Sequence, residues 1–162
     1  MSEQLIIRLG STPQQPLWWL IWSAGAAEVI ASGQLTDATE LTGLAERIGV
    51  NRPLTALLPA CDVVLKEVAL PGKPTRQILQ ALPYMLEEEQ AEDIEQLLVV
   101  SAQTVQRDSQ YLQQVAVVRR GLLEQWLSLL QQSGFAPRRL IPDALLLPVL
   151  EQPVALQLGS QW

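Results

Sequence analysis

Six carboxylates fall within the nine residues from Glu87 to Glu95, inside the stretch LPYMLEEEQAEDIEQL, and no Lys or Arg occurs between Arg76 and Arg107. Acids at this density could hold a divalent cation, work as an acid/base pair, form a solvated helix face or meet a basic partner. The chain has no histidine, which excludes Ser-His-Asp and Cys-His mechanisms and leaves zinc only Cys61 and carboxylates. A Mg²⁺ or Ca²⁺ site needs converging oxygens. On a helix, Glu88 and Glu92 share one face while Glu87 and Glu89 point elsewhere, and the run lacks the glycine of an EF-hand turn. A glycosidase-like pair needs environments that push two pKa values apart, and exposed neighbouring acids have no apolar pocket to do so. A solvated face and a docking surface stay open.

A second chemical candidate is IIRLGST. An actin-like nucleotide site uses an Asp at the end of its first strand, followed by a Gly-Ser/Thr hairpin whose amides hold phosphate. The Gly10-Ser11-Thr12 hairpin is present, but Arg8 stands where that Asp would be, and a guanidinium cannot bind Mg²⁺. Cys61, inside an apolar run, reads as a buried small residue rather than a nucleophile. Arg138-Arg139 reads as a solvent-facing pair at a strand end rather than an anion site. In PLWWLIW, strand alternation sends Trp19 and Ile21 one way and Trp18, Leu20 and Trp22 the other, which predicts core packing on both faces of a sheet.

The elements that must position these residues begin with three strands, QLIIRLG, PLWWLIWSAG and AEVIASGQL, joined by short turns as an antiparallel meander. A helix of about three turns follows in TDATELTGLAERIGV, where Asp37 and Glu40 resemble a capping box and Gly49 supplies the stop. PLTALLPA reads as a buried strand and CDVVLKEVALP as a half-exposed one. Pro83 splits the next helical stretch into two helices, 74–81 and 83–92, with Pro83 at the start of the second. EQLLVVSAQTV and QYLQQVAVVRR are strands joined across QRDS. GLLEQWLSLLQQSGF is a helix with one apolar stripe, ended by Ser133-Gly134. A strand, a Pro-bounded turn and a short helix follow in APRRLIPDALLLPVL. PVALQLGSQW reads as a last strand with nothing to pair with, as though the chain were cut there.

At 162 residues and 48% hydrophobic, the chain is long and apolar enough for about one domain with a core. Its net charge of −6 and pI near 4.6 argue against nucleic acid as a partner. The N-terminus lacks a signal-peptide pattern, and no apolar run approaches the ~20 residues a membrane helix needs, so the chain reads as soluble and unprocessed. One cysteine forms no internal disulfide and fits a reducing cytoplasm.

The order βββαβ followed by a second β-α-β run is that of the RNase H-like half-domain found twice in actin-like ATPases. Three stretches carry a more specific resemblance: WLIWSAGAAEVIASGQL, LPYMLEEEQAEDIEQL, and SGFAPRRLIPDALLLP followed by ALQLGSQW. Together they resemble the cytoplasmic domain of type II secretion system protein L. The resemblance implies an α+β, actin-like architecture without nucleotide hydrolysis or cofactor. It divides the chain into a first RNase H-like subdomain over 1–75, an inserted α/β subdomain with the acidic helix over 76–118, and the start of a second RNase H-like subdomain over 119–162. It further implies a non-catalytic scaffold at the cytoplasmic face of the bacterial inner membrane that recruits the N-terminal domain of the secretion ATPase. Contact with secretion protein M and the membrane helix would lie in regions absent here. Toward the ATPase, Tyr84, Met85 and Leu86 are the expected anchors, with Glu87, Glu88, Glu89, Glu92 and Asp93 as steering charges. The alternatives are an actin-like protein that keeps ATP through the Gly10-Ser11 backbone, and a homodimerising module whose acidic face is only solvent-exposed; separately, a strand near Val154 to Leu158 left unpaired by truncation is an edge open to a second copy.

Overall fold

The computed structural model describes residues 3–87, 92–149, 151, 152, 155 and 157. The expected meander forms. Strand β1 (Glu3–Arg8) pairs antiparallel with β2 (Leu17–Ser23), and β2 pairs antiparallel with β3 (Glu28–Leu35). Helix α1 (Leu41–Ile48) then carries the chain across to β4 (Leu54–Leu58), which lies parallel to β1 on its free side. Leu5, Ile7 and Leu9 alternate on one face of β1, as Leu17, Trp19 and Ile21 do on β2, and both sets are buried against Leu41 and Leu44 of α1. Trp18, Leu20 and Trp22 point to the other face and are only half-buried. The tryptophan-rich strand therefore builds a full core on one side of the sheet, not on both.

The capping box expected before α1 is half formed. Asp37 accepts from the Thr39 amide at 2.8 Å and from the Thr39 hydroxyl, capping a single 3-10 turn at Ala38–Glu40, and Glu40 makes no side-chain cap for α1. Those bonds, the hydroxyl one first, hold the Asp37 carboxyl below the ordinary aspartate range.

A second, three-stranded sheet has the order β5-β7-β6. Its strands are β5 (Val63–Leu70), β6 (Leu97–Arg107) and β7 (Gln110–Arg119), with β7 antiparallel to both neighbours. Asp108 and Ser109 both have positive φ at the β6–β7 turn, the backbone that matches the twist of a two-residue hairpin. Strand β6 carries one extra residue between Ser101 and Thr104. Gln113, 1% exposed on β7, satisfies the bulge: its Nε2 donates to the carbonyls of Ala102 at 3.0 Å and Gln103 at 3.3 Å, and its Oε1 accepts from the Thr104 hydroxyl.

Helices α2 (Arg76–Gln80) and α3 (Leu82–Leu86) meet at Ala81, and Pro83 sits in the first turn of α3, where its missing N–H costs no helical bond. They close the second core with Leu82 and Leu86 against Val68, Leu70, Leu97, Val115 and Val117. Of the second helix, expected over 83–92, α3 is described to Leu86 and residues 88–91 lie outside the described residues; Asp93 caps a separate 3-10 turn at Ile94–Gln96 through the Glu95 amide at 3.0 Å.

Helix α4 (Arg120–Gln132) returns the chain to the first core through Trp126 and Leu130, both 0% exposed. It stops where Ser133-Gly134 predicts. Gly134 takes φ +86, its amide bonds the Gln131 carbonyl at 3.0 Å, and the Phe135 amide bonds the Leu130 carbonyl at 2.8 Å with both side chains buried. This is the Schellman pattern with its apolar contact. Strand β8 (Pro137–Pro142) then lies parallel to β4, giving the first sheet the order β3-β2-β1-β4-β8.

The sheets thus divide the chain differently from the expected breaks at 75 and 118. Strand β5, expected in the first unit, pairs with β7. Strand β8, expected to open a further half, completes the first sheet, because parallel pairing needs a crossover and α4 supplies it. The short helix expected after β8 is one 3-10 turn, Asp143–Leu146. The strand expected over 153–162 lies outside the described residues except at 155 and 157, which are not in a strand.

Candidate functional site

Strands β1, β4 and β8 run parallel, so their carboxyl ends open at one edge of the first sheet, where open α/β sheets place ligands. Arg8 ends β1, and Asp143 follows the last residue of β8. Each is 8% exposed. Arg8 Nε donates to Asp143 Oδ2 at 2.8 Å, and the amide of Ala60, just past β4, donates to Asp143 Oδ1 at 2.8 Å. The Arg8 guanidinium also sits 5.5 Å from the ring centre of Trp18. All three strand ends are therefore tied together by one buried ion pair and one backbone bond. Both carboxylate oxygens at this edge are engaged by the chain itself, one by the guanidinium and one by the Ala60 amide.

The adjoining Gly10-Ser11-Thr12 hairpin is likewise engaged by the chain itself. The Ser11 amide donates to Gln15 Oε1 at 2.6 Å, and the Gly10 carbonyl accepts from Trp126 Nε1 at 3.1 Å. A Cβ at Gly10 would lie 2.7 Å from the Cβ of Gln15, so glycine is needed for this closure. Asp143 and Gln15 do not stand out in the sequence, and Trp126 does so only as part of the apolar stripe of its helix. The available signal for Asp143 was an acid set between an apolar strand and ALLLP, where burial would demand a partner.

The acidic segment divides by exposure. Tyr84 is 71% exposed, and Glu87, Glu92 and Asp93 are exposed. Leu86 is 0% exposed and Met85 is half-buried against the second core. Leu86 is thus a core residue and no anchor for a partner, because α3 turns it inward beside Leu82. Glu88 and Glu89 lie outside the described residues. Glu92 and Glu95 line a cavity of about 640 Å³ together with Ser11, Thr12, Arg119 and Arg120. Cys61, expected to be buried, is exposed, because the 3-10 turn Ala60–Asp62 after Pro59 carries it outward to within 3.5 Å of the Ser11 hydroxyl. Arg138 and Arg139 are both exposed, as expected.

A family model described as type II secretion system (T2SS), protein L matches residues 5–162. The chain belongs to the T2SS protein L family. It is 38% identical to the type II secretion system protein L of Vibrio cholerae over its whole length, and 34% identical to that of Dickeya chrysanthemi over 91% of it. It spans only 39% and 35% of those two relatives. Among solved structures it is similar, with a TM-score of 0.83 and 35% identity, to the cytoplasmic domain of EpsL, an inner membrane component of the type II secretion system of Vibrio cholerae. That match covers 93% of this chain and 61% of the other. The T2SS protein L resemblance carried by the three sequence stretches is borne out, and the mixed α+β fold agrees with the EpsL match.

Proposed function

We propose that this chain is a non-catalytic adaptor on the cytoplasmic face of the inner-membrane platform of a type II secretion system, recruiting the N-terminal domain of the secretion ATPase. The observation that carries the reading is the buried Arg8–Asp143 pair at 2.8 Å. It fills the sheet edge where an actin-like enzyme would need an unpaired acid for its metal. The sheet order β3-β2-β1-β4-β8, three antiparallel strands followed by two parallel ones, supports an RNase H-like unit made of 3–58 and 120–146, interrupted by the insertion 63–119. Contact with protein M and anchoring in the membrane belong to the rest of the longer relatives' length.

In this reading the insertion presents Tyr84 as the apolar contact and Glu87, Glu92 and Asp93, with Glu88 and Glu89, as the charges that steer a basic face of the ATPase domain. Calorimetric titration of that domain into the wild-type chain and into Glu88→Lys/Glu89→Lys/Glu92→Lys tests it. The triple variant is expected to keep its melting temperature and bind about tenfold or more weakly in low salt. Unchanged affinity would sink the role given to the acids.

A further inference from the structure

Strand β3 is an outer edge of the five-stranded sheet, and among the described residues no strand lies on its far side. Its outward N–H and C=O groups are a template for another strand. Val29 and Ile30 on this edge are 50% and 48% exposed, Ile30 being the extra residue of a bulge opposite β2. Ala24, Ala26 and Ala27 of the hairpin before them are exposed too, and Trp22, opposite Val29, is half-buried. The edge lies in the first of the three stretches that carry the family resemblance, and neither the Arg8–Asp143 pair nor the acidic segment uses it.

The other edges carry features that keep strands apart. Strand β8 has proline at both ends and exposed Arg138 and Arg139. Strand β5 has Lys66 and Glu67 at its centre. A two-fold axis normal to a sheet sets residues of the same face opposite each other, so the central registers of β5 would bring Lys66 or Glu67 against its own copy. Strand β6 exposes one large apolar side chain, Val100, and its bulge is stitched to β7 by Gln113. From Val29 to Leu35, β3 carries no charge. On a chain of net charge −6, a basic partner is drawn to the acids. A strip with neither acid nor base is where a second, equally acidic copy can approach, and it offers that copy the same unpaired backbone groups.

We propose that β3 pairs antiparallel with β3 of a second copy about a two-fold axis, joining two five-stranded sheets into one and covering Val29 and Ile30 at the seam. One strand pair buries less than an obligate dimer does, so the association is weak and reversible. It does not depend on the adaptor reading.

Analytical ultracentrifugation of the 162-residue chain from micromolar to millimolar concentration, at low and at high salt, tests it. A monomer–dimer equilibrium is expected, strengthened several-fold by salt because screening reduces the repulsion between two acidic copies. Ile30→Lys and Ile30→Glu shift the charge in opposite directions at an exposed position, and each should weaken the dimer about tenfold or more with the melting temperature unchanged. Val100→Lys, on the edge of β6, should leave the dimer intact. Amide exchange of the wild type at low and high concentration decides the matter if the Ile30 variants do not fold: protection should rise with concentration in β3 and stay constant in β6. A monomer at every concentration, a dimer weakened by salt, or concentration-dependent protection that spares β3 would overturn the proposal. So would a dimer that survives both Ile30 variants, or one lost with Ile30→Glu but kept with Ile30→Lys, which would mark general charge repulsion.

Discussion

Arg8 and Asp143 are the residues on which the chemistry turns, and their energetics are specific. Neither charge is solvated, so each depends on the other and on the Ala60 amide. Asp143→Leu alone leaves a buried guanidinium and should lower unfolding stability by about 3–5 kcal/mol, while the double change Arg8→Met/Asp143→Leu should recover most of that loss. Urea melts of the four proteins of the cycle measure it, and equal losses in the single and double variants would show that the pair is not the source. Arg8 was legible as the departure from a metal-binding acid because residue type alone excludes coordination. Asp143 was not, since its partner lies 135 positions away in sequence and only the parallel pairing of β1, β4 and β8 brings the two together.

At the scale of elements, local chemistry predicted what local chemistry controls. Gly134 and Pro83 act within a few residues, and each does what its backbone preference demands. The acidic helix is different. A run of good helix formers suggested a helix to residue 92; among the described residues Leu82 and Leu86 of α3 fill the second core, and Asp93 caps a turn of its own. The bulge in β6 was invisible in sequence because the residue that sustains it, Gln113, sits on the facing strand. Gln113→Leu fits the volume but strips the Ala102 and Gln103 carbonyls of their donor, so it should cost about 1–3 kcal/mol and speed amide exchange around Ser101 to Thr104. Exchange unchanged in that segment would mean that the bulge stands without it.

For the whole molecule, a carboxylate paired at the strand ends and a hairpin amide bonded to Gln15 predict no productive nucleotide site. A ligand that binds only the folded chain must raise its melting temperature, so Mg-ATP at millimolar concentration should leave the thermal midpoint unchanged. A rise of several degrees, abolished by changing Ser11, would favour the nucleotide-keeping alternative instead. The three stretches that carry the resemblance, one Trp-rich, one acidic and one around Arg138-Arg139, combine strand, turn and surface patterns. The division into units escaped them, since which strand joins which sheet is decided by crossovers between distant segments.

The sequence by itself determined which residue types are at hand: no histidine for a Ser-His-Asp or Cys-His mechanism, and Arg8 rather than an acid at the end of the first strand. It also determined the elements whose signals are local, because capping, proline and alternation act within a turn or a strand. Only the tertiary structure decided that Arg8 is neutralised by Asp143, that Leu86 belongs to a core rather than a surface, and that β8 completes the first sheet. Each of those outcomes depends on the burial of groups far apart in the chain, and burial is a property of the packed whole that residue type and spacing do not contain.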